Sequence, residues 1–116
     1  MSINDLIDDS SVKYDTLEKS SIINLGSAEV ITYGRVHEVR FSNITFNQEL
    51  AVGTGVTLAT LPSNLKPAQN IEHEIMIRNG VSADFYIDKT SGDIMITPRS
   101  IISVGQACAI IEFYIK

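Results

Sequence analysis

Hydrophobic and polar residues alternate with a period of two along most of the chain from Ser27 onward. Because successive side chains of a β-strand point to opposite faces of a sheet, this alternation predicts strands with one buried face. Ile44 and Phe46 break the parity set by Phe41, which indicates a β-bulge or a new strand there. The clearest alternating runs are residues 37–42, 71–78, 83–88 and 107–116.

Turn signals separate these runs at intervals of roughly ten residues. Asn79-Gly80 lies between two alternating runs and predicts a hairpin, because both residues accept positive φ. Residues 88–93 predict a second turn, and Pro62 and Pro67 bracket a loop, since proline cannot donate to a sheet ladder. About seven to nine short strands with this punctuation predict an all-β fold, an antiparallel β-sandwich or barrel.

The first part of the chain has a different pattern, with sparse apolar residues. Ile3, Leu6 and Ile7 have the spacing of one face of a helical turn. A capping-box pattern, with Asp in place of the usual Ser or Thr, predicts a short helix near residues 15–23. So short a helix is marginal alone, so it needs a partner, either the domain behind it or other copies of the chain.

The change of pattern near Gly26 divides the chain into an N-terminal neck or linker, residues 1–26, and a β-sandwich domain, residues 27–116. Residues 1–29 hold two basic residues against six acidic ones, a net −4 of the chain's total of −5. Nucleic-acid-binding domains carry a basic face, and anionic membranes repel acidic chains, so neither partner is expected. The longest apolar stretches have about six residues, whereas a membrane span needs about twenty. No secretory signal is visible.

The single cysteine, Cys108, cannot form an internal disulfide and lies between two alanines in a strand-like run. It is interpreted as a small buried hydrophobe, because neither His37 nor His73 belongs to a recognisable thiol-enzyme signature. His73 has inward parity among isoleucines and is interpreted as a core histidine. The lack of disulfides fits synthesis in a reducing cytoplasm.

No motif for a metal, a cofactor or catalysis is present in the sequence, so none of the three is expected. Residues 88–93 have a faint calcium-loop pattern but lack the later acidic ligand. The glycines at positions 53 and 55 precede a strand, whereas a phosphate cradle needs a helix N-terminus. Glu72 and Glu74 share one strand face, whereas the two acids of a glycosidase flank the substrate from facing positions.

Tyr86 is the candidate contact for a saccharide. It has outward parity between Asp84 and Asp88, and so offers an aromatic face with flanking hydrogen-bond acceptors. Arg78 and Asp84 flank the hairpin at residues 79–80, so the sequence predicts that Arg78, Asp84 and Tyr86 converge at one loop end. An ordinary exposed strand tyrosine is the alternative interpretation.

Residues 53–62, GTGVTLATLP, followed by Leu65-Lys66-Pro67, resemble a recurrent pattern in phage tail proteins. There, a strand ending in Leu-Pro leads through a short loop to a second proline. After this come the strand 71–77, a variable hairpin, residues 92–98 and a closing strand. Their order is similar to that of the C-terminal head domains of tail fibres and of receptor-binding or baseplate proteins. This order is typical of phages that infect Gram-positive bacteria. Residues 7–12, IDDSSV, also resemble the segments that precede such heads.

The resemblance implies a homotrimeric β-sandwich, often a jelly roll, located in the virion. Its implied role is host attachment without catalysis, by binding a host cell-surface saccharide. The alternative is a purely structural baseplate or tail-fibre module that docks another virion protein, and the fold does not decide between them. Because the family has no sharp site motif, the resemblance assigns no binding residues. The candidate trimer interface is the apolar set of the neck: Leu6, Ile7, Leu17 and Ile22.

Overall fold

Eight β-strands form two four-stranded antiparallel sheets in residues 12–116, the part of the chain that this computed structural model describes. The first sheet has the order β1-β2-β3-β8 and the second the order β4-β7-β6-β5. The alternating runs form the strands that they predict, so the antiparallel all-β prediction is confirmed. The strands are β1 (Lys13–Thr16), β2 (Ile23–Tyr33), β3 (Val36–Phe46), β4 (Val56–Thr60), β5 (Ile71–Arg78), β6 (Val81–Ile87), β7 (Asp93–Pro98) and β8 (Cys108–Ile115).

One hydrophobic core lies between the two sheets and makes the fold a β-sandwich. Val39 and Phe41 of β3 belong to it, as do Phe85 of β6 and Ile96 of β7, and all four are almost fully buried. Fully burying a side chain of this size contributes about 1.5–3 kcal/mol. The inward residues of the alternating runs therefore hold the two sheets face to face.

The strand order shows how the chain passes between the two sheets. The first three strands pair in sequence and β8 joins β3, whereas β4 lies beside β7, which is the Greek-key order read in reverse. The tight turn between Tyr33 and Val36 makes β2 and β3 direct neighbours. A jelly roll contains two Greek keys, and the jelly-roll-like character of the sandwich stays a prediction.

The short helix predicted near residues 15–23 is not formed. β1 and β2 occupy both ends of that segment, and Lys19 pairs with Ala59 of β4 in an isolated bridge. Leu17 is buried in the sandwich core. A helix this short is marginal without tertiary support, so extended backbone that buries Leu17 in the core is the more stable arrangement. The other predicted helical turn, at residues 3–7, lies outside the described residues.

A β-bulge lies where the parity break near Ile44 predicted an irregularity. The pairing of β3 with β8 shifts register between Phe41 and Ile44, and Asn43 has a φ of 50°. Opposite, Gly26 has a φ of 102°, and a Cβ there would lie 2.6 Å from the Asn43 carbonyl oxygen. Gly26 is thus a strand residue at a bulge. The division of the chain at this residue into neck and head stays a prediction.

The predicted turns are confirmed. Asn79-Gly80 joins β5 to β6 in a hairpin, with Gly80 at a φ of 77°. In the turn between β6 and β7, the Asp88 carboxylate accepts hydrogen bonds from the backbone N–H groups of Thr90 and Ser91 at 2.7 and 2.9 Å. The loop bracketed by the two prolines contains a short 3-10 helix, Ser63–Leu65.

Side-chain contacts join the two sheets where the edge strands β5 and β8 approach each other. His73 Nε2 of β5 lies 2.7 Å from Glu112 Oε2 of β8, and Arg78 donates a hydrogen bond to the Ala107 carbonyl at 3.0 Å. The His73 side chain is 44% exposed, so its interpretation as a core histidine is wrong. Strand parity places it inward, but the edge position of β5 opens it to solvent.

Candidate functional site

A basic cleft lies at one end of the sandwich, where β1, the turn between β2 and β3, the 3-10 helix and the end of β8 meet. Its volume is about 500 Å³, within the range of small-ligand sites. We call it the basic cleft. Its charged and polar lining residues include Lys13, Asp15, Arg35, His37, Asn64 and Lys116.

Positive charge is concentrated in the basic cleft. Three basic residues, Lys13, Arg35 and Lys116, line it together with one acidic side chain, that of Asp15, although the chain as a whole has a net charge of −5. No ion pair joins any of these four side chains to another residue within 12–116. Cations without an ion-pair partner in a concave site attract anionic groups from solution.

The wall of the basic cleft is tied together by the last residues of the chain. The Tyr114 hydroxyl donates a hydrogen bond to the Leu65 carbonyl, and the Lys116 ammonium donates one to the Asn64 carbonyl. These bonds join the end of β8 to the 3-10 helix. They hold two lining elements together that lie about fifty residues apart in sequence.

His37 forms the buried floor of the basic cleft and is only 5% exposed. A hydrogen bond of 3.0 Å joins its Nδ1 to the Thr32 hydroxyl, and its ring stacks on Tyr114 with centroids 5.0 Å apart. These two contacts fix the ring orientation. Within residues 12–116, Nε2 has no hydrogen-bond partner.

Burial lowers the pKa of His37 below the ordinary value of 6.5, and the positive charge of Lys116 lowers it further. The carboxylate of Asp15 acts in the opposite direction. The imidazole is therefore mainly neutral near pH 7. An anion bound in the cleft would stabilise the protonated form, because a nearby negative charge favours the charged imidazolium.

The predicted patch around Tyr86 lies on the outward face of β6, with Asp84 two residues away on the same face. Arg99 Nη2 lies 2.8 Å from Asp84 Oδ1, and its Nη1 lies 3.2 Å from Glu74 Oε2. The Tyr86 hydroxyl is 3.4 Å from Asp88 Oδ2. Tyr86 is half-buried, and its neighbours on the outward face, Glu72 on β5 and Asp84 on β6, are acidic.

Arg78 is not part of this patch. Its guanidinium donates to the Ala107 carbonyl of the first sheet, and no contact within the described chain joins it to Asp84 or Tyr86. A register shift between Met76 and Arg78 ends the regular pairing of β5 before the hairpin. The predicted convergence of three side chains is therefore absent, and saccharide contact by Tyr86 alone, which the structure does not test, remains the alternative location of the site.

The candidate trimer residues of the neck are placed differently from the expectation. Leu17 is only 4% exposed and packs in the sandwich core, and Ile22 packs partly buried against the same core. Both side chains are therefore used within one chain. Leu6 and Ile7 lie outside the described residues.

Cys108 is buried, with 2% exposure, as its strand context predicted. Burial raises the pKa of the thiol, and only Arg78 acts against this shift. A protonated, buried thiol is a poor nucleophile, so the structural interpretation is confirmed. Within residues 12–116, no cluster of His, Cys, Asp and Glu side chains is suited to hold a metal ion. No helix of that part has the length and apolar character to cross a membrane.

The sequence did not reveal the basic cleft. Its cations come from β1, from the turn after β2 and from the end of β8, and none belongs to a local basic run. The inward parity of His37 was the one available signal, because a polar residue at an inward position needs a polar neighbour.

The chain is similar in structure to the head domain of the lactococcal phage bIL170. The TM-score is 0.68 at 13% sequence identity, and the match covers 90% of this chain and 98% of that one. That crystal structure was described in relation to a common fold for the receptor-binding domains of lactococcal phages. No protein-family model and no curated protein matches the chain. At the level of fold, the resemblance to phage head domains is confirmed.

Proposed function

We propose that this chain is the receptor-binding head of a phage tail, and that it attaches the virion to its host by binding a cell-surface saccharide. In this proposal the protein is not an enzyme, and it acts as a homotrimer. The fold shared with the bIL170 head domain supports a role in host recognition. The observation that carries the proposal is the basic cleft, a concave polar site lined by four elements of one chain.

The charge of the basic cleft indicates the class of saccharide. Arg35 offers a planar fork of donors that matches phosphate or carboxylate groups, and Lys13 and Lys116 add compact positive charges. Thr32 and Asn64 can exchange hydrogen bonds with sugar hydroxyls. The proposed ligand is therefore a saccharide that carries phosphate or carboxylate groups.

A trimer makes weak single sites sufficient for attachment. Sugars gain little net free energy after losing water, so we expect a dissociation constant of about 0.1–1 mM for each site. Three linked sites raise the overall avidity by orders of magnitude when the host surface offers repeated ligands. Strong attachment therefore does not require a deep pocket.

The test is a titration of the whole chain with purified cell-wall polysaccharide from a susceptible host. Wild-type protein should bind, and Arg35→Glu should weaken binding at least tenfold, because the substitution replaces a cation of the cleft with an anion. Tyr86→Ala is the matched control for the patch on β6, and it should leave binding unchanged. Loss of binding in Tyr86→Ala alone would move the site to that patch.

The second candidate function is a structural module of the baseplate or tail fibre. The exposed apolar side chains of β8 favour it, because they can dock another virion protein as well as a copy of this chain. Wild-type protein that ignores the polysaccharide but captures another tail protein would establish this second function and overturn the first.

A further inference from the structure

The outward face of the first sheet is unusually apolar at both of its edges. Tyr14 of β1 is 68% exposed, and three residues of β8 are 55 to 57% exposed. We call this surface the outer face of the first sheet. Its main residues are Tyr14, Ile31, Glu38, Ile111, Phe113 and Ile115.

The pairing register places four of these side chains in one row across the sheet. Tyr14 pairs with Ile31, Ile31 with Glu38, and Glu38 with Phe113. Ile31 is only 2% exposed although it lies outside the core between the sheets. The outer face thus has a packed hydrophobic layer of its own, with its most exposed members at opposite edges.

The one charged residue in this row is already neutralised. Glu38 is 3% exposed, and its Oε2 lies 2.5 Å from Arg40 Nη2. The Tyr33 hydroxyl donates to its other oxygen, Oε1, at 3.1 Å. A buried carboxylate with these partners carries no unpaired charge. Burying the outer face in an interface would therefore not leave an unpaired charge in that interface.

The outward face of the second sheet has a different character. Glu72, Glu74 and Asp84 lie on β5 and β6, and Arg99 is the base that pairs with two of them. Copies of a chain with a net charge of −5 repel one another through such an acidic surface. When copies meet through the uncharged edges of the outer face of the first sheet, this charge repulsion is absent.

The exposed apolar area of these edges is also comparable with the apolar centre of a protein interface. Side chains of this size that are more than half exposed offer on the order of 100 Å² each, so the four present on the order of 400 Å². Exposed apolar area of that size equals the largest patch of a typical monomer, which is often functional. A standard interface buries about 800 Å² per partner around such an apolar centre.

We propose that copies of this chain associate through the outer face of the first sheet, with the β8 edge of one copy against the β1 edge of the next. Because the two apolar edges lie at opposite ends of one row, this contact is head-to-tail and can close into a ring. The proposal names the surface through which the proposed homotrimer assembles, and to that extent it rests on the proposed function. It assigns assembly to the sandwich instead of Leu17 and Ile22.

The test measures the mass of the whole chain by light scattering during size exclusion at micromolar concentration. Wild-type protein should have three times the chain mass of 12.7 kDa. Phe113→Asp and Tyr14→Asp should each reduce the mass toward one chain, with unchanged circular dichroism. Met76→Asp is the matched control, because Met76 is 69% exposed but lies on the edge strand of the second sheet. It should assemble as wild type does.

The outcomes separate the surface from the assembly itself. If Phe113→Asp and Tyr14→Asp remain trimers, this surface is wrong and the trimer stands. If the wild type is a monomer at every concentration, the trimer and this surface both fail, while saccharide binding is judged by its own titration.

A thiol probe tests the same surface without disrupting it. In a Cys108→Ala background, a maleimide should label Ile111→Cys at least tenfold more slowly than Met76→Cys in the assembled protein. Dilution to the monomer should remove the difference. Equal labelling rates at trimer concentration would overturn the proposal.

Discussion

The imidazole of His37 makes the stability of the protein depend on pH. Its pKa in the folded chain is below the ordinary 6.5, so on acidification the unfolded chain binds a proton before the folded chain does. The contribution of neutral His37 to the unfolding free energy is complete well above pH 6.5, and it is lost as the pH falls below that value toward the pKa of His37 in the folded chain. We expect the melting temperature to hold from about pH 7.5 down to about pH 6.5 and to fall on further acidification to about pH 5.5.

Substitution His37→Gln removes this titration, and scanning fluorimetry across the same pH range checks it. The variant should start with a lower melting temperature, because it loses the stacking on Tyr114, but it should lose less on acidification than wild type. Parallel declines in the two proteins would show that His37 is not the group responsible.

Cys108 acts as a filler of the core. We expect Cys108→Ala to fold and to lose on the order of 1 kcal/mol of unfolding free energy in urea, through lost buried volume. Assembly and saccharide binding should be retained. A variant with wild-type stability and no binding would instead indicate a reactive thiol.

Strand parity predicted the faces of the strands but not how far an edge strand is open to solvent. His73 of β5 has inward parity yet is 44% exposed, whereas Cys108 of β8, also an edge strand, is buried. Alternation does not say which edge strands lie at an open side of the sandwich. The basic cleft could not be predicted from the sequence for a related reason. Its cations at positions 13, 35 and 116 come together only through the strand order, which no local pattern encodes.

At the scale of elements, the β-bulge of β3 that lies opposite Gly26 of β2 depends on that glycine. Gly26 and Gly105 both have positive φ, 102° and 81°, but only at Gly26 would a Cβ meet backbone, at 2.6 Å. We expect Gly26→Ala to cost more than about 3 kcal/mol, since conformational strain and steric overlap add. Gly105→Ala, the matched control, should cost about 1 kcal/mol, because its surroundings are open.

Urea unfolding of the two variants gives the comparison directly. A similar loss at both glycines would mean that the backbone at the bulge moves to admit a side chain. That result would show that the close approach of Gly26 to Asn43 and Ile44 does not require a glycine at this position.

Elements with local signals were predictable, and elements decided by distant contacts were not. The Asn79-Gly80 hairpin and the turn at residues 88–93 form as expected, because their backbone preferences lie in the residues themselves. The helix near residues 15–23 does not form, because burying Leu17 against the second sheet is a tertiary effect.

At the scale of the whole molecule, an acidic protein carries the proposed saccharide site in a local region of positive charge. We expect its affinity for an anionic saccharide to weaken severalfold between roughly 0.05 and 0.5 M sodium chloride, because salt screens the attraction. Calorimetric titrations at the two salt concentrations check this. An affinity unaffected by salt would indicate that neutral sugar contacts dominate the binding.

The fold likeness at 13% identity shows how the chain is built, and the chemistry of its site has to carry the function. The loose motifs around residues 53–67 sufficed to identify the architecture, because turn and strand order survive large sequence changes. They did not locate a ligand, because the cations of the basic cleft lie outside those motifs.

The most direct measurement for the central claim is a nuclear magnetic resonance titration of isotope-labelled protein with a fragment of the host cell-wall saccharide. Backbone amide signals of residues 32–37, 64–65 and 116 should shift in proportion to saturation, and those of β6 and β7 around Tyr86 should stay in place. Shifts confined to the Tyr86 patch, or no shifts at millimolar ligand, would contradict the assignment of saccharide binding to the basic cleft.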